Sequence, residues 1–331
     1  MSKDKVEYAR NTELPILKKG WKGNVTINGL YCNRVKENQP AIKDVLKWKL
    51  GKNPQKEEKK NDKFKLNRVE LTDFSKENNK IVWFGHASFL ITINGKTILT
   101  DPCFNNIPTI KRLVKIPCEV SAIKNLDYLL LSHDHRDHFD VKSLKEIVKY
   151  NPKVEALMPL GMEALLTKSK LNHIKSQTAG WYQSYKIDAD FEIIFVPSKH
   201  WCKRGISDFN TMLWGGFLIK ANGKNIYFSG DTAYDAELFK DIEIQFGKMD
   251  ICMLPIGAYA PHFMMKNAHT TPEEAYQIFN DLKGELCIPM HYGTYDLSDE
   301  PLGEPLKRFT TCFDANPNKL KQLSVGEVFE F

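Results

Sequence analysis

Between residues 132 and 138 the chain reads Ser132-His-Asp-His-Arg-Asp-His138, so that His133, His135, Asp137 and His138 fall within a span of six positions. Packing does not account for such a cluster. Neighbouring imidazoles repel once protonated, and each buried polar ring needs a partner. A divalent metal ion supplies that partner, and nitrogen and carboxylate donors without thiolates suit zinc, with manganese or iron as alternatives. The loop follows an apolar run from Leu126 to Leu131 that reads as a buried strand. It precedes a helix that Asp140 can cap, with Val141, Leu144, Ile147 and Val148 on one face. The ligand candidates therefore sit where a strand hands over to a helix.

The surrounding elements repeat a plan. Phe89-Leu-Ile-Thr-Ile, Asn94-Gly95 and Lys96-Thr-Ile-Leu-Thr read as a hairpin, because Asn-Gly accepts the positive φ of a type I′ turn. Phe217-Leu-Ile-Lys-Ala, Asn222-Gly223 and Lys224-Asn-Ile-Tyr-Phe repeat it, and each copy soon runs into an aspartate, Asp101 or Asp231. Two distant copies mark an internal duplication rather than a solenoid. Two related β-rich halves with helices following predict an α/β layered sandwich, two sheets flanked by helices, with strand ends converging on one site. Thr271, Pro272 and Glu274 form another helix start (cap, first-turn proline, capping-box glutamate), followed by an apolar stripe of Ala275, Ile278, Phe279 and Leu282. The first 80 residues read as an irregular layer with one helix from Pro40 to Leu50, on which Ile42, Val45, Leu46 and Trp48 supply apolar contacts.

His133-x-His135-x-Asp137-His138 resembles the signature loop of the metallo-β-lactamase superfamily. Four further stretches narrow the resemblance: Pro197-Ser-Lys-His200-Trp-Cys-Lys-Arg204, Ser229-Gly-Asp231-Thr-Ala-Tyr234, Pro255-Ile-Gly-Ala-Tyr259 and Met290-His291-Tyr-Gly-Thr-Tyr295. They are similar to stretches of the N-acyl-phosphatidylethanolamine-hydrolysing phospholipase D branch. The likeness is dense from about residue 80 to 295 and thinner elsewhere. It implies an αββα sandwich of two mixed β-sheets flanked by helices over residues 80–331, with residues 1–79 as an N-terminal extension packed on that core. Carried over by residue, it gives His133, His135 and His200 to one metal and Asp137, His138 and His291 to a second, with Asp231 bridging both. The chemistry agrees, since seven donors are too many for one tetrahedral ion and a carboxylate can bridge where an imidazole normally cannot. Taken alone, His200 or His291 would read as an ordinary satisfied histidine, and Asp231 as a turn residue.

Such a pair of ions would lower the pKa of a shared water towards ~7 and take up charge developing on substrate oxygens. Asp137, Asp231 and His269 are then the residues expected to serve the reaction. Asp101, in Thr-Asp-Pro, can orient a ligand imidazole through its free N–H, or simply form a turn. The resemblance places His86, of Gly-His-Ala-Ser, near the site. His269 stands just before the Thr271–Pro272 helix start, where free backbone N–H groups favour a phosphate. A contact to the phosphodiester or to its leaving group is expected of it, with a plain helix-entry role as the alternative. Tyr259 can hydrogen-bond in the same region or simply pack. Phe263-Met-Met265 can meet acyl chains or form an ordinary buried loop, and Cys202 reads as a small buried thiol.

Composition bounds the rest. With 331 residues, 42% hydrophobic and 27% charged, the chain is an ordinary globular protein with ample material for a core. No apolar run approaches the ~20 residues that span a bilayer. Met1-Ser-Lys-Asp-Lys lacks the apolar stretch of a secretory signal, and seven cysteines without a CxxC pair fit a reducing compartment. A cytoplasmic location is the expectation, or a membrane-associated one if an anchor once preceded residue 1. Part of the net charge of +6 lies in a polar stretch carrying Lys56, Lys59, Lys60, Lys63, Lys65 and Arg68, read as a solvated loop or as a patch attracted to anionic lipid or nucleic acid. That stretch lacks the interleaved aromatics of a nucleic-acid platform, so nucleic acid is not an expected partner. The expected partners are a small-molecule or lipid phosphodiester substrate, a membrane surface, and a second copy in a homodimer. Two other readings stay open: a lactone, thioester or nucleotide hydrolase using the same site, and a metal-bound ligand sensor without turnover.

Overall fold

The computed structural model describes residues 4–34, 42–187 and 190–331. The first elements are β1 (Val6–Ala9), β2 (Asn24–Ile27), β3 (Leu30–Tyr31), α1 (Ile42–Leu50) and α2 (Lys56–Asn61). From β4 (Lys80–Gly85) the chain runs through β5 (Ser88–Ile93), β6 (Lys96–Thr100), β7 (Tyr128–Leu130), α3 (Val141–Tyr150), β8 (Glu155–Pro159), α4 (Glu163–Lys168) and β9 (Lys175–Ala179). The second half holds β10 (Gln183–Ser184), β11 (Glu192–Val196), β12 (Gly216–Ala221), β13 (Lys224–Phe228), α5 (Ala236–Phe246), β14 (Ile251–Pro255), α6 (His262–Met265), α7 (Pro272–Asp281), β15 (Leu286–Met290), α8 (Glu304–Cys312) and β16 (Val328–Glu330).

Two large mixed sheets result, ordered β16-β4-β5-β6-β7-β8-β9 and β10-β11-β12-β13-β14-β15, with helices flanking them. This is the αββα sandwich. The duplicated hairpins are β5–β6 and β12–β13, and their Asn-Gly tips carry the positive φ values the turn requires, 49° and 71° in one and 53° and 70° in the other. The tips touch through Asn222 Nδ2 donating to Asn94 Oδ1, while the sheets meet through rings such as Phe89, Phe217 and Phe228. In each sheet the hairpin's second strand takes a parallel neighbour, β7 beside β6 and β14 beside β13. Parallel strands bring their carboxyl ends to one edge, and the loops that leave those ends gather there.

The helix signals hold. Asp140 caps α3 by accepting from Lys142 and Ser143 N–H, and Leu144, Ile147 and Val148 are buried, with Val141 only half so. Thr271 and Glu274 close a capping box around Pro272 on α7. The N-terminal region differs from the expected irregular layer. It contains a three-stranded antiparallel sheet whose β2–β3 turn is a third Asn-Gly pair, Asn28-Gly29. The sheet is short, so its hydrophobic alternation is weak, but the turn chemistry was there to be read. This region is tied to the core: Trp181 N–H donates to Asn24 Oδ1, Asn11 Nδ2 to the Thr178 carbonyl, and Lys18 pairs with Asp241.

Of the helix read over Pro40–Leu50, residues 40 and 41 and the side chains of Ile42 and Val45 lie outside the described residues. Leu46 is exposed rather than a packing contact, and Trp48 is half-buried with its indole N–H on Asp299. The basic stretch is partly helical rather than all loop: α2 carries Lys59, whose amine holds Asp296 and the Ser298 carbonyl. All seven cysteines are free thiols, and no helix among the described residues is long and apolar enough to cross a membrane.

Candidate metal centre

The site grows from the strand ends of both sheets. β7 ends at Leu130 and delivers Ser132 to His138; β6 delivers Asp101 beside it; β13 delivers Asp231, β15 His291, and the loop after β11 His200. The two sheets approach so closely here that a side chain at Gly230 (φ 58°) would press within 2.8 Å of Ser132 Cβ and 2.7 Å of the Gly215 carbonyl. Only glycine permits Asp231 to come this near. His86, Asp101 and His291 all hold left-handed backbone, at φ 56°, 31° and 62°. For non-glycine residues that conformation costs about 1 kcal/mol or more each, and it clusters where surrounding structure imposes it.

One lobe is three histidines. His133 Nε2 lies 2.9 Å and His200 Nε2 3.2 Å from His135 Nδ1. The tautomers follow from the outer nitrogens. His200 Nδ1 is 2.7 Å from the Ala268 carbonyl, which can only accept, so Nδ1 donates and Nε2 keeps its lone pair. For His133 the same result arrives through two links. Ser132 Oγ donates to Asp101 Oδ2 and therefore accepts from His133 Nδ1, 2.8 Å away. Lone pairs from both rings thus aim at His135 Nδ1, which can present at most one proton between them. Burial, reinforced by the neighbouring rings, holds the imidazoles of His133 and His200 well below the usual histidine range. They stay neutral, the form that coordinates metal.

The second lobe is richer in carboxylate. Asp231 Oδ2 lies 3.2 Å from His138 Nε2 and 3.1 Å from His291 Nε2, and Asp137 Oδ2 lies 3.6 Å from both nitrogens. Asp101 Oδ2 takes the Nδ1 proton of His138 at 2.7 Å, which turns Nε2 towards Asp231. Burial works to lower the histidines here too, but Asp231 and Asp137 outweigh it: His138 is held well above the usual range and His291 is raised to about 9. Asp231 is enclosed and Asp137 largely so, and such carboxylates require compensating positive charge. Asp231 stands between the lobes, with His200 Nε2 at 4.0 Å on its other side.

The donor set fits divalent ions. His138 Nε2, His291 Nε2 and Asp231 Oδ1 are buried and find no hydrogen-bond partner among the described residues. Orphans of this kind are rare, and here they point inward at one place. His133, His135 and His200 form one group with ligand atoms within 4.8 Å of one another; Asp137, His138 and His291, joined by His86, form another; Asp101 with His133 and His138, and Asp231 with His269 and His291, cluster as closely. His86 is fully enclosed and places Nε2 2.9 Å from Asp137 Oδ2, so it orients that carboxylate.

The remaining expected residues divide. His269 is at the site: its Nδ1 lies 3.8 Å from Asp231 Oδ2 and makes no hydrogen bond, and its side chain is 14% exposed. With His135 and Asp137 it lines the open edge, while the ring of Trp201 leans on His135 at 4.4 Å. The helix start behind it is not free for a phosphate, because Glu274 already accepts the Thr271 N–H and Pro272 has none. Tyr259 is not at the site: its hydroxyl donates to Glu304 of α8 under the Arg308 guanidinium. Phe263-Met-Met265 forms the short α6, with Phe263 43% exposed rather than buried. Cys202 is a buried thiol whose pKa burial raises further.

Sequence reasoning left three contributors without a role. Ser132 links Asp101 to His133, as above. The Tyr295 hydroxyl donates to the Asn105 carbonyl at 2.7 Å, with the Cys103 carbonyl at 3.1 Å, while its ring stands edge-on to His86. Arg112 donates to the Phe84, Cys103 and Val114 carbonyls and to Tyr295. Ser132 borders the histidine loop and was open to inference; Arg112 comes from a distant segment and left no local signal.

Residues 96–292 match the model of the beta-lactamase superfamily domain. The chain is a metal-dependent hydrolase of this superfamily. Its curated relatives include N-acyl-phosphatidylethanolamine-hydrolyzing phospholipase D 1 of Caenorhabditis elegans, 29% identical over 89% of this chain and 84% of that protein. The mitochondrial enzyme of the same description from Saccharomyces cerevisiae is 32% identical over 68% of this chain, which spans only 50% of the yeast protein. Among solved structures, a metallo hydrolase from the archaeon Ignicoccus hospitalis superposes with a TM-score of 0.57 at 23% identity, covering 77% of this chain and 98% of that one. That last likeness concerns the superfamily fold alone.

Proposed function

We propose that this hydrolase is a phosphodiesterase of phospholipase D type, acting on glycerophospholipids of the N-acyl-phosphatidylethanolamine kind. The observation that carries the reading is His269: an imidazole on the open edge of the site whose Nδ1 makes no hydrogen bond, with a ligand atom within 4.8 Å of those of Asp231 and His291 but outside the seven-residue ligand set. Similarity to the nematode relative over most of both chains supports the substrate class. His133, His135 and His200 would hold one divalent ion and Asp137, His138 and His291 another, with Asp231 between them; zinc suits the donors best. Such ions, when bound, lower the pKa of water and take up charge on phosphoryl oxygens.

In the reaction water adds to phosphorus, the P–O bond to the N-acylethanolamine oxygen breaks, and that alcohol leaves with a proton. Burial pulls the His269 imidazole down to about 4, so it is neutral at pH 7 and retains one N–H. Its role follows as donor to a non-bridging phosphate oxygen, holding the diester for in-line attack.

The test is His269→Ala with both metals retained. Turnover of N-acyl-phosphatidylethanolamine is expected to fall by ~10²–10⁴-fold. An activated nitrophenyl phosphodiester should suffer a similar fall, because the oxygen held by His269 is common to both. Retained turnover of the activated ester alone would move His269 to leaving-group protonation. Unchanged turnover of every phosphodiester, alongside cleavage of a lactone, would replace this reading with lactone hydrolysis.

A further inference from the structure

Beside the histidine loop lies a cleft of about 400 Å³ that none of the candidate ligand residues lines. Its apolar lining comes from Ile107, Phe139 and Val141, and its polar rim from Arg136, Lys142 and Arg204. Arg136 stands between His135 and Asp137 in sequence but is exposed, and its one hydrogen bond runs to the Arg204 carbonyl at 3.2 Å. The Arg204 guanidinium lies over the Phe139 ring and donates to the Asp134 and Phe139 carbonyls, at opposite ends of the metal loop. The cleft's single carboxylate, Asp140, is already occupied by Lys142 N–H, Ser143 N–H and Oγ, and Asn105 Nδ2. Among the described residues, none of the three cations has a carboxylate at ion-pair distance.

Three cations around an apolar floor, with Asp140 already hydrogen-bonded and no described carboxylate at ion-pair distance, are a recognition pattern rather than a folding device. A guanidinium spends its planar fork on carboxylate or phosphate where one is available. A monoanion would leave two of the charges unmatched. A phosphate monoester is close to a dianion at neutral pH and carries three acceptor oxygens, and its alcohol half can lie against the ring and the aliphatic side chains.

We infer that this cleft is a second, non-catalytic binding site for a phosphate monoester, held by Arg136, Lys142 and Arg204. The inference does not depend on the substrate proposed above. A ligand here would hold, through Arg136, the segment that carries His135 and Asp137, and so would tie occupancy to the geometry of both lobes. The monoester could arrive free in solution or as the headgroup of phosphatidic acid.

The experiment uses the full metal-loaded chain. Calorimetric titration with sn-glycerol 3-phosphate examines the free ligand, and co-sedimentation with phosphatidylcholine vesicles, with and without phosphatidic acid, examines the headgroup. Arg136→Gln is expected to weaken binding about tenfold or more, the loss of a charge-assisted pair, and Arg136→Lys to recover only part of it. His291→Ala removes a residue of the metal centre and should leave this binding in place. Arg136-dependent binding in the titration identifies a free monoester, and in the vesicle arm alone a lipid headgroup; either supports the site. Affinity unchanged by Arg136→Gln in both arms, or binding that vanishes with His291→Ala, would overturn it, since the phosphate would then be sitting on the metals.

Discussion

Asp101 and Asp231 follow two copies of one hairpin, yet the fold gives them opposite duties at a single imidazole. Asp101 faces Nδ1 of His138 at 2.7 Å, and Asp231 faces Nε2 of the same ring at 3.2 Å. Asp101 comes one residue past the end of β6 and is fully enclosed, and its oxygens are taken by Ser132 N–H, Ser132 Oγ and His138. Burial pushes its carboxyl up, while His138 and Ser132 pull it back towards the charged form. Asp231 comes three residues past the end of β13, beyond the Gly230 turn, and its Oδ1 has no hydrogen-bond partner among the described residues. Two extra residues after the strand convert a buried organiser into a residue that faces the reaction space. Saturated hydrogen bonding marks the organiser, and an unspent oxygen marks the ligand.

Removing each aspartate should therefore fail differently. Asp231→Ala is expected to abolish turnover and to lower metal content in both lobes, from about two ions per chain, because Asp231 reaches His138 and His291 on one side and His200 on the other. Metal analysis of purified protein beside a rate measurement checks this. A variant that kept one ion firmly bound and turned over at half speed would confine Asp231 to a single lobe. Asp101→Ala should keep both metals at saturating concentration but lose roughly 10–100-fold in metal affinity or rate. It should also destabilise the fold by about 1–3 kcal/mol in urea unfolding, since Ser132 and His138 are left with buried donors. Wild-type rate and affinity in this variant would return Asp101 to a turn role.

How far these duties could be read in advance follows from where their causes lie. The ligand loop, both Asn-Gly hairpins and the capping box at Thr271 are local, so a few adjacent residues announced them. Convergence of the strand ends could be argued from the duplication, because each hairpin copy ended in an aspartate. The direction in which Asp101 acts was open to inference from the chemistry of ligand histidines. The hydrogen-bond relay through Ser132 was not, because it needs the rotamers of three enclosed side chains. Two expectations failed for the same reason. At the helix behind His269 the Thr271 N–H is taken by Glu274 and the Glu274 N–H by Thr271 Oγ1, and Tyr259 finds Glu304, forty-five positions away. Side-chain satisfaction by distant partners leaves no local pattern in a sequence.

Ser132→Ala sharpens the comparison by cutting one branch of what Asp101 organises. Without Oγ, His133 loses the acceptor that fixes its tautomer, while His138 keeps its bond to Asp101. The expected loss is towards the ~10-fold end of what such supporting contacts contribute, and it should fall on the three-histidine lobe. Titration with a chelator, following the release of each ion in turn, distinguishes the lobes. If both ions loosened equally, the branch through His133 would not be separable from the one through His138.

The smallest effect is expected at Tyr259, and its smallness is what is being tested. Its hydroxyl donates to Glu304 Oε1 at 2.7 Å, and Arg308 lies over its ring while also holding Glu304 and Glu273. That arrangement ties the loop after β14 to α8 and directs the hydroxyl away from His138 and Asp231. Burial, with Glu304 beside it, raises the phenol's pKa, so it is neither an acid nor a base at working pH. Tyr259→Phe should cost about 1 kcal/mol of stability, one hydrogen bond to a charged partner, and leave kcat and KM for a phosphodiester within about twofold. Arg308→Gln, which strips the charge above the same ring, should show the same division between stability and rate. A drop in kcat for Tyr259→Phe with unchanged stability would mean that α8 moves aside when substrate binds and that the hydroxyl then turns towards the metals. The contrast between saturated and unspent groups would fail there first, because a bond that looks satisfied would have been a resting contact.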